Sequence, residues 1–278
     1  MRTALICLTS LVALSAQAAE LHVAAEKEHV IDTAFVQLER LVLEDGATLR
    51  VAPGIEALVL QADNAWIGEG VRLIASGAPG SPGADGADGE SPGGCNDGGA
   101  GEPGGTGENG ANGVDLDLRL GLHQFGSLLL ESRGSNGGLG GQGGRGGNGG
   151  SSERCAGGTG GNGGQGGTGG AGGRGGEVRV SYWSLSKEGM LPVSNFGPGL
   201  QIVNDGGQGA RGGEGGEPGA GGIGELVKRP TGIKLFRNPG EDGQPGKPGA
   251  HGAPGAPGRF IVEPLAGPRS WPDRQTLW

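Results

Sequence analysis

The chain has 278 residues, with 69 Gly, 17 Pro, 4% aromatic residues and a formal net charge of -9. So much glycine and proline excludes an ordinary close-packed globular domain over the whole length, and the acidic balance excludes a nucleic-acid partner held by charge. Apolar residues make up 33% and lie mostly outside the glycine-rich runs, which confines a conventional core to roughly half of the chain.

Residues 1–18 carry the pattern of a secretory signal: Arg2 supplies charge, Leu5 to Leu14 an apolar run, and Ala16, Gln17 and Ala18 a small-residue cleavage site. The mature chain is expected to start at Ala19, and Cys7 lies too early to be a lipoprotein anchor. No later run reaches the length of a membrane span. The expected location is outside the cytoplasm: secreted, or at the cell surface or in the periplasm of a bacterium. There Cys95 and Cys155 form an even pair, which favours one disulfide over two separate thiols. Without histidine neighbours they make a poor zinc site, and no metal or cofactor is expected.

From residue 19 to 76 short apolar runs recur: LVLEDG at 41, LVLQAD at 58 and VRLIASG at 71, followed by LLLESRG at 128 and LQIVNDG at 200. The first two continue as ATLRVAPGI and NAWIGEGV, a coil of about 17 residues that alternates β-rich runs with turns. These phrases predict an all-β fold, a short parallel β-solenoid, with a β-sandwich as the alternative. The last three runs lead directly into glycine triplets, and each glycine-rich segment ends at another strand: GVDLDLRL at 113, GEVRVSYWSL at 176 and GRFIVEPL at 258. The expected organisation is a base at 19–76, a first glycine-rich hairpin at 77–113, a rung at 114–133, and a second, central hairpin at 134–176. A rung at 177–205, a third hairpin at 206–258 with a distinct tip at 225–238, and a strand and tail at 259–278 complete it.

Residues 157–176, GGTGGNGGQGGTGGAGGRGG, place two glycines in every triplet. An extended helix with three residues per turn and about 3.1 Å rise has no internal hydrogen bonds, so its backbone groups must find partners outside. Packing such helices side by side satisfies them, and glycine is needed wherever backbone meets backbone. Legs of 15 to 20 residues would project roughly 45–60 Å. GG-x triplets belong in the middle of such a bundle; G-x-y triplets with proline, as in GEPGGTGEN and GQPGKPGAHGAPGAPG, belong at its flanks, where a missing N–H leaves no bond unmade.

This arrangement of six antiparallel arms resembles the polyglycine II bundles of springtail glycine-rich antifreeze proteins and phage tail-tip adhesins. The resemblance covers about half the chain and implies a rigid platform for a flat surface or for loops at its tip. The competing reading is a trimeric collagen-like matrix or surface protein, since GAPGSPGADGADGES also satisfies Gly-X-Y. Five to seven triplets per run, tied at both ends to strands, are few for a triple helix, so a monomer is expected.

Function is expected to be structural or adhesive, with a surface glycan or extracellular protein as partner. The third tip combines apolar Leu226, Val227, Ile233, Leu235 and Phe236 with basic Lys228, Arg229, Lys234 and Arg237 around an Arg-Pro-Thr-Gly turn. It is either a recognition site or a cap on the bundle end, and Lys228, Arg229, Lys234, Phe236 and Arg237 are the candidate binding residues. A second candidate is the row Thr159, Asn162, Gln165 and Thr168, a polar ladder suited to ice or polysaccharide. Asp115, Asp117 and Glu131 read as ordinary polar strand faces, and four histidines without a cluster argue against catalysis. Asp85 and Asp88 read as solvated charge.

Overall fold

The computed structural model describes residues 19–190 and 199–267; the expected signal sequence and most of the C-terminal tail lie outside them. Thirteen strands form, and no helix is present among the described residues. They are β1 (Glu20–Val23), β2 (Glu28–Ile31), β3 (Phe35–Leu43), β4 (Thr48–Val51), β5 (Ala57–Ile67), β6 (Val71–Ile74) and β7 (Asp115–Phe125). The rest are β8 (Leu128–Glu131), β9 (Val178–Ser184), β10 (Leu200–Val203), β11 (Glu225–Lys228), β12 (Lys234–Arg237) and β13 (Phe260–Pro264). A six-stranded sheet runs β1-β3-β5-β7-β9-β13, and a five-stranded sheet runs β10-β8-β6-β4-β2. Every pairing in both is parallel. The expectation of an all-β fold therefore holds.

The core lies between the sheets. Alternate residues turn inward: Leu41, Leu58, Leu60, Ile67, Leu118 and Leu122 from the larger sheet meet Leu49, Val71, Leu73 and Leu130 from the smaller, all at most 2% exposed. Period-2 burial is what parallel strands with one packed face require. Asp45 and Gly46 turn the chain between sheets, with Gly46 at φ 70°, a left-handed conformation that costs glycine little.

The register corrects one expectation. LVLEDG and LVLQAD do lie on neighbouring strands, but Leu41 stands beside Ala65 and Val59 beside Phe35. The repeat there is 24 residues, the offset between Leu41 and Ala65, rather than about 17. Both β3 and β5 are long, so the two LVL phrases begin at different heights along them.

All three glycine-rich excursions leave from the smaller sheet and return to the larger. The outgoing legs (77–91, 134–150, 206–224) follow β6, β8 and β10; the return legs (97–113, 157–176, 240–258) precede β7, β9 and β13. The parallel ladder of each sheet continues into the legs. Ile74 pairs with Glu131, then Gly77 N–H donates to Arg133 O, Gly80 to Asn136 and Gly83 to Leu139. On the other side Leu116 pairs with Val178, and Gly113 donates to Arg174 O and Gly110 to Ala171.

At the junction the side chains between the layers shrink. Ala75, Ser132 and Asn204 occupy equivalent places immediately after β6, β8 and β10, and all are buried. Ser132 donates its hydroxyl to Val114 O, and Asn204 Nδ2 donates to Gly176 O and Arg259 O. Beyond this neck, glycine lets the layers touch, and outgoing and return legs bond directly. Gly164 N–H donates to Gly144 O, Gly216 to Gly164 O, and Gly246 to Gly216 O.

Candidate functional site

The legs carry three bends at their far end: residues 92–96, 151–156 and 225–238. The first two are joined by a disulfide between Cys95 and Cys155, whose Cα atoms are 6.2 Å apart and 60 residues apart in sequence. The third leans on the second, where Leu226 N–H donates to Glu153 O. Asp97, at the start of the second leg, accepts from Thr159 N–H. Bonds from the Thr159 hydroxyl and N–H hold its carboxyl below the usual range.

Strands β11 and β12 make the third bend an antiparallel hairpin, the small third sheet of the molecule. Arg229 N–H donates to Ile233 O and Gly232 N–H to Arg229 O, closing the turn with Gly232 at φ 86°. Pairing is Glu225 with Arg237, Leu226 with Phe236, Val227 with Leu235 and Lys228 with Lys234. Opposed residues share a face, and so do residues two apart. One face therefore carries Leu226, Phe236, Lys228 and Lys234; the other carries Glu225, Arg237, Val227 and Leu235. Phe236 and Ile233 are each 56% exposed, whereas Leu226 and Val227 are half-buried, so the β12 side of the hairpin is the one open to solvent. Lys228, Arg229, Lys234, Phe236 and Arg237 are brought together on this one hairpin.

Thr159, Asn162, Gln165 and Thr168 fall in a single exposed row along the fourth leg. Asn162 Oδ1 accepts from Gln244 N–H of the sixth leg, and Thr168 donates to Thr106 Oγ1 of the second. On the opposite face Arg145 pairs with Glu217 at 3.1 Å.

Sequence reasoning missed one device. The third N–H of many triplets, which no neighbouring backbone reaches, is taken by a short side chain from the adjacent leg. Asp85 accepts from Gln142 N–H, Asp88 from Arg145, Ser91 from Asn148, Asn109 from Ala171, Asn112 from Arg174 and Asn136 from Gln208. Asp85 and Asp88 are exposed, as expected of solvated charge, and each also serves as a structural acceptor. The legible signal was the recurrence of Asp, Asn and Ser at intervals of three in the legs.

The strand carboxylates are also engaged. Asp117 forms a double hydrogen bond with Arg119, Asp115 pairs with Arg174, and Glu131 pairs with Arg72 and Arg133. A stack of Arg40, Trp66 and His123 runs across β3, β5 and β7 on the outer face of the larger sheet, the two rings 4.4 Å apart. Among the described residues no group of three or more His, Cys, Asp or Glu is placed to hold a metal ion, and no helix is long and apolar enough to cross a membrane.

No protein-family model matches the chain, and no curated protein matches it. Among solved structures it is similar in sequence to the nine polyproline type II helical bundle antifreeze protein of the springtail Granisotoma rainieri. Identity is 28%, over 62% of this chain and 93% of that one, with a TM-score of 0.12.

Proposed function

We propose that the two parallel sheets are the walls of a short β-solenoid and the glycine-rich legs a polyglycine II bundle. On this reading the protein is a secreted, non-enzymatic structural or adhesive protein that presents a binding loop on a stiff support. The observation that carries it is the pairing of a continuous backbone lattice with an exposed basic and apolar hairpin at its far end. Every leg bonds to its neighbours through glycine N–H groups; the third, for example, bonds to the first, second, fourth and fifth. Such a lattice resists bending far better than a Gly-rich linker. Its far end is tied by the Cys95–Cys155 bond, which supports an oxidising compartment outside the cytoplasm.

A collagen-like trimer is disfavoured by the same bonds. In the Gly-X-Y legs the glycine N–H groups already have acceptors inside the chain: Gly83 in Leu139 O, Gly249 in Gly213 O, Gly252 in Ala210 O. A triple helix would need those donors for other chains.

The test replaces residues 225–238 by a short turn and compares binding of the full chain and the variant to a panel of extracellular glycans and bacterial surface polymers. Binding by the full chain that the variant loses is the expected outcome. Equal binding by both would remove the tip as the site and move attention to the Thr159, Asn162, Gln165 and Thr168 row.

A further inference from the structure

The third tip contains a pairing that is unfavourable by itself. Lys228 and Lys234 stand directly opposite each other across the hairpin. Like charges so placed destabilise a strand pair, because their Cβ atoms lie only about 4.5–5.5 Å apart. Neither ammonium group has an ion-pair partner among the described residues, although the chain as a whole carries a net charge of -9. Four basic residues, Lys228, Arg229, Lys234 and Arg237, against Glu225 alone give residues 225–238 a net of +3. Positive charge has been gathered at the far end of an acidic molecule, with its repulsion left uncompensated.

We infer that this face of the tip holds an acidic polysaccharide, an inference that rests on reading the tip as the binding end. An anionic group of a sugar, a carboxylate or a sulfate, sits between the Lys228 and Lys234 ammonium groups and replaces their repulsion with two charge-assisted hydrogen bonds. The neighbouring pair on the same face, Leu226 and Phe236, offers an apolar surface beside that clamp, and Phe236 is 56% exposed. A pyranose ring presents an apolar C–H face and carries its charge at the rim, so ring against Phe236 and anion between the lysines is one coherent pose. Arg229 in the turn and Arg237 on the other face extend the positive field along the hairpin, which suits a polymer with repeated charges.

A phospholipid surface fits less well. The apolar pair on this face is small for membrane insertion, and a broad anionic bilayer would meet the acidic body behind the tip as well as the tip itself. A single polymer strand meets the tip alone.

The experiment uses the full chain with immobilised dextran sulfate and polygalacturonate, neutral dextran as control, and phosphatidylglycerol vesicles as a separate arm. Binding to the two acidic polymers, weakened by salt and absent on neutral dextran, is expected. Lys234→Gln weakens it roughly tenfold, the loss of one charge-assisted contact. Lys228→Glu weakens it further while slowing hydrogen exchange of the hairpin amides, because the like-charge pair becomes an ion pair. A variant that tightens the free hairpin yet loses the ligand is the signature of a site; a merely structural lysine would lose both or neither. Three results overturn the inference. If deleting the tip abolishes binding to some glycan but both lysine variants bind it normally, the tip stands and the acidic class falls. If the deletion and both substitutions leave binding unchanged, the tip reading falls with it. Binding to the vesicles with none to the acidic polymers assigns the tip to a lipid surface instead.

Discussion

At the scale of single residues, the glycines of the fourth leg divide their labour by position. Within the Gln165, Gly166, Gly167 triplet, a Cβ on Gly166 would strike the Gly213 carbonyl and one on Gly167 the Gly105 carbonyl, whereas Gln165 is exposed. Gly167 also donates its N–H to Gly141 O. The neighbours are backbone, which cannot swing aside as a side chain could. Gly167→Val is therefore expected to cost about 3 kcal/mol or more, against under about 0.5 kcal/mol for Gln165→Ala, measured as a shift in urea unfolding. Similar losses from both would mean that the legs do not pack. The same scale shows where sequence reading stopped short. The period of three was visible, but the role of Asp85, Asp88, Asn109 and Asn136 depends on which leg stands beside which, and that adjacency is set by the order of the strands.

At the scale of elements, the first two bends act as one unit. The bond between Cys95 and Cys155 closes a span of 60 residues. In the chain-entropy view this stabilises the fold by about 4 kcal/mol, since the unfolded chain loses freedom that the folded one never had. Because the legs bond to each other independently of the bridge, the Cys95→Ser, Cys155→Ser double variant is expected to fold and to unfold at lower temperature, read by circular dichroism. A double variant with an unchanged midpoint would show that the bends are held by the legs alone. The pairing was legible because two cysteines fell in corresponding bends of successive excursions. The hairpin of the third bend was legible too, from Leu226 and Val227 facing Leu235 and Phe236 across a Pro-Thr-Gly turn. The strand register was not: LVLEDG and LVLQAD look equivalent in composition, and only the match of Leu41 with Ala65 reveals that strand length, not the repeated phrase, sets the repeat.

At the scale of the whole molecule, the chain is expected to sediment as a monomer. The glycine donors of the legs are consumed within one chain, so a second and third chain have little to add. A trimer in sedimentation equilibrium would restore the collagen-like alternative. Most prolines of the legs are placed in keeping with this: Pro79 and Pro82 lie in the first leg, and Pro245, Pro248, Pro254 and Pro257 in the sixth, the two ends of the stack, with Pro103 in the second and Pro218 in the fifth. A proline offers no N–H there, which blunts the outermost rows against pairing with another copy.

The ladder that passes unbroken from Ile74 beside Glu131 to Gly77 beside Arg133 has a further consequence. Leucine-filled sheets and glycine-filled legs are two lattices of different interior, yet both are ruled by one backbone spacing of about 4.8 Å along the stack. They are commensurate, so neither strains the other however many layers are added. The molecule is extensible in whole units: a further crossing of the two sheets supplies the footing for a further excursion, and an excursion without that footing has no ladder to join. Sheets and legs can therefore lengthen together, while the charged hairpin, borne by the last layer alone, stays single.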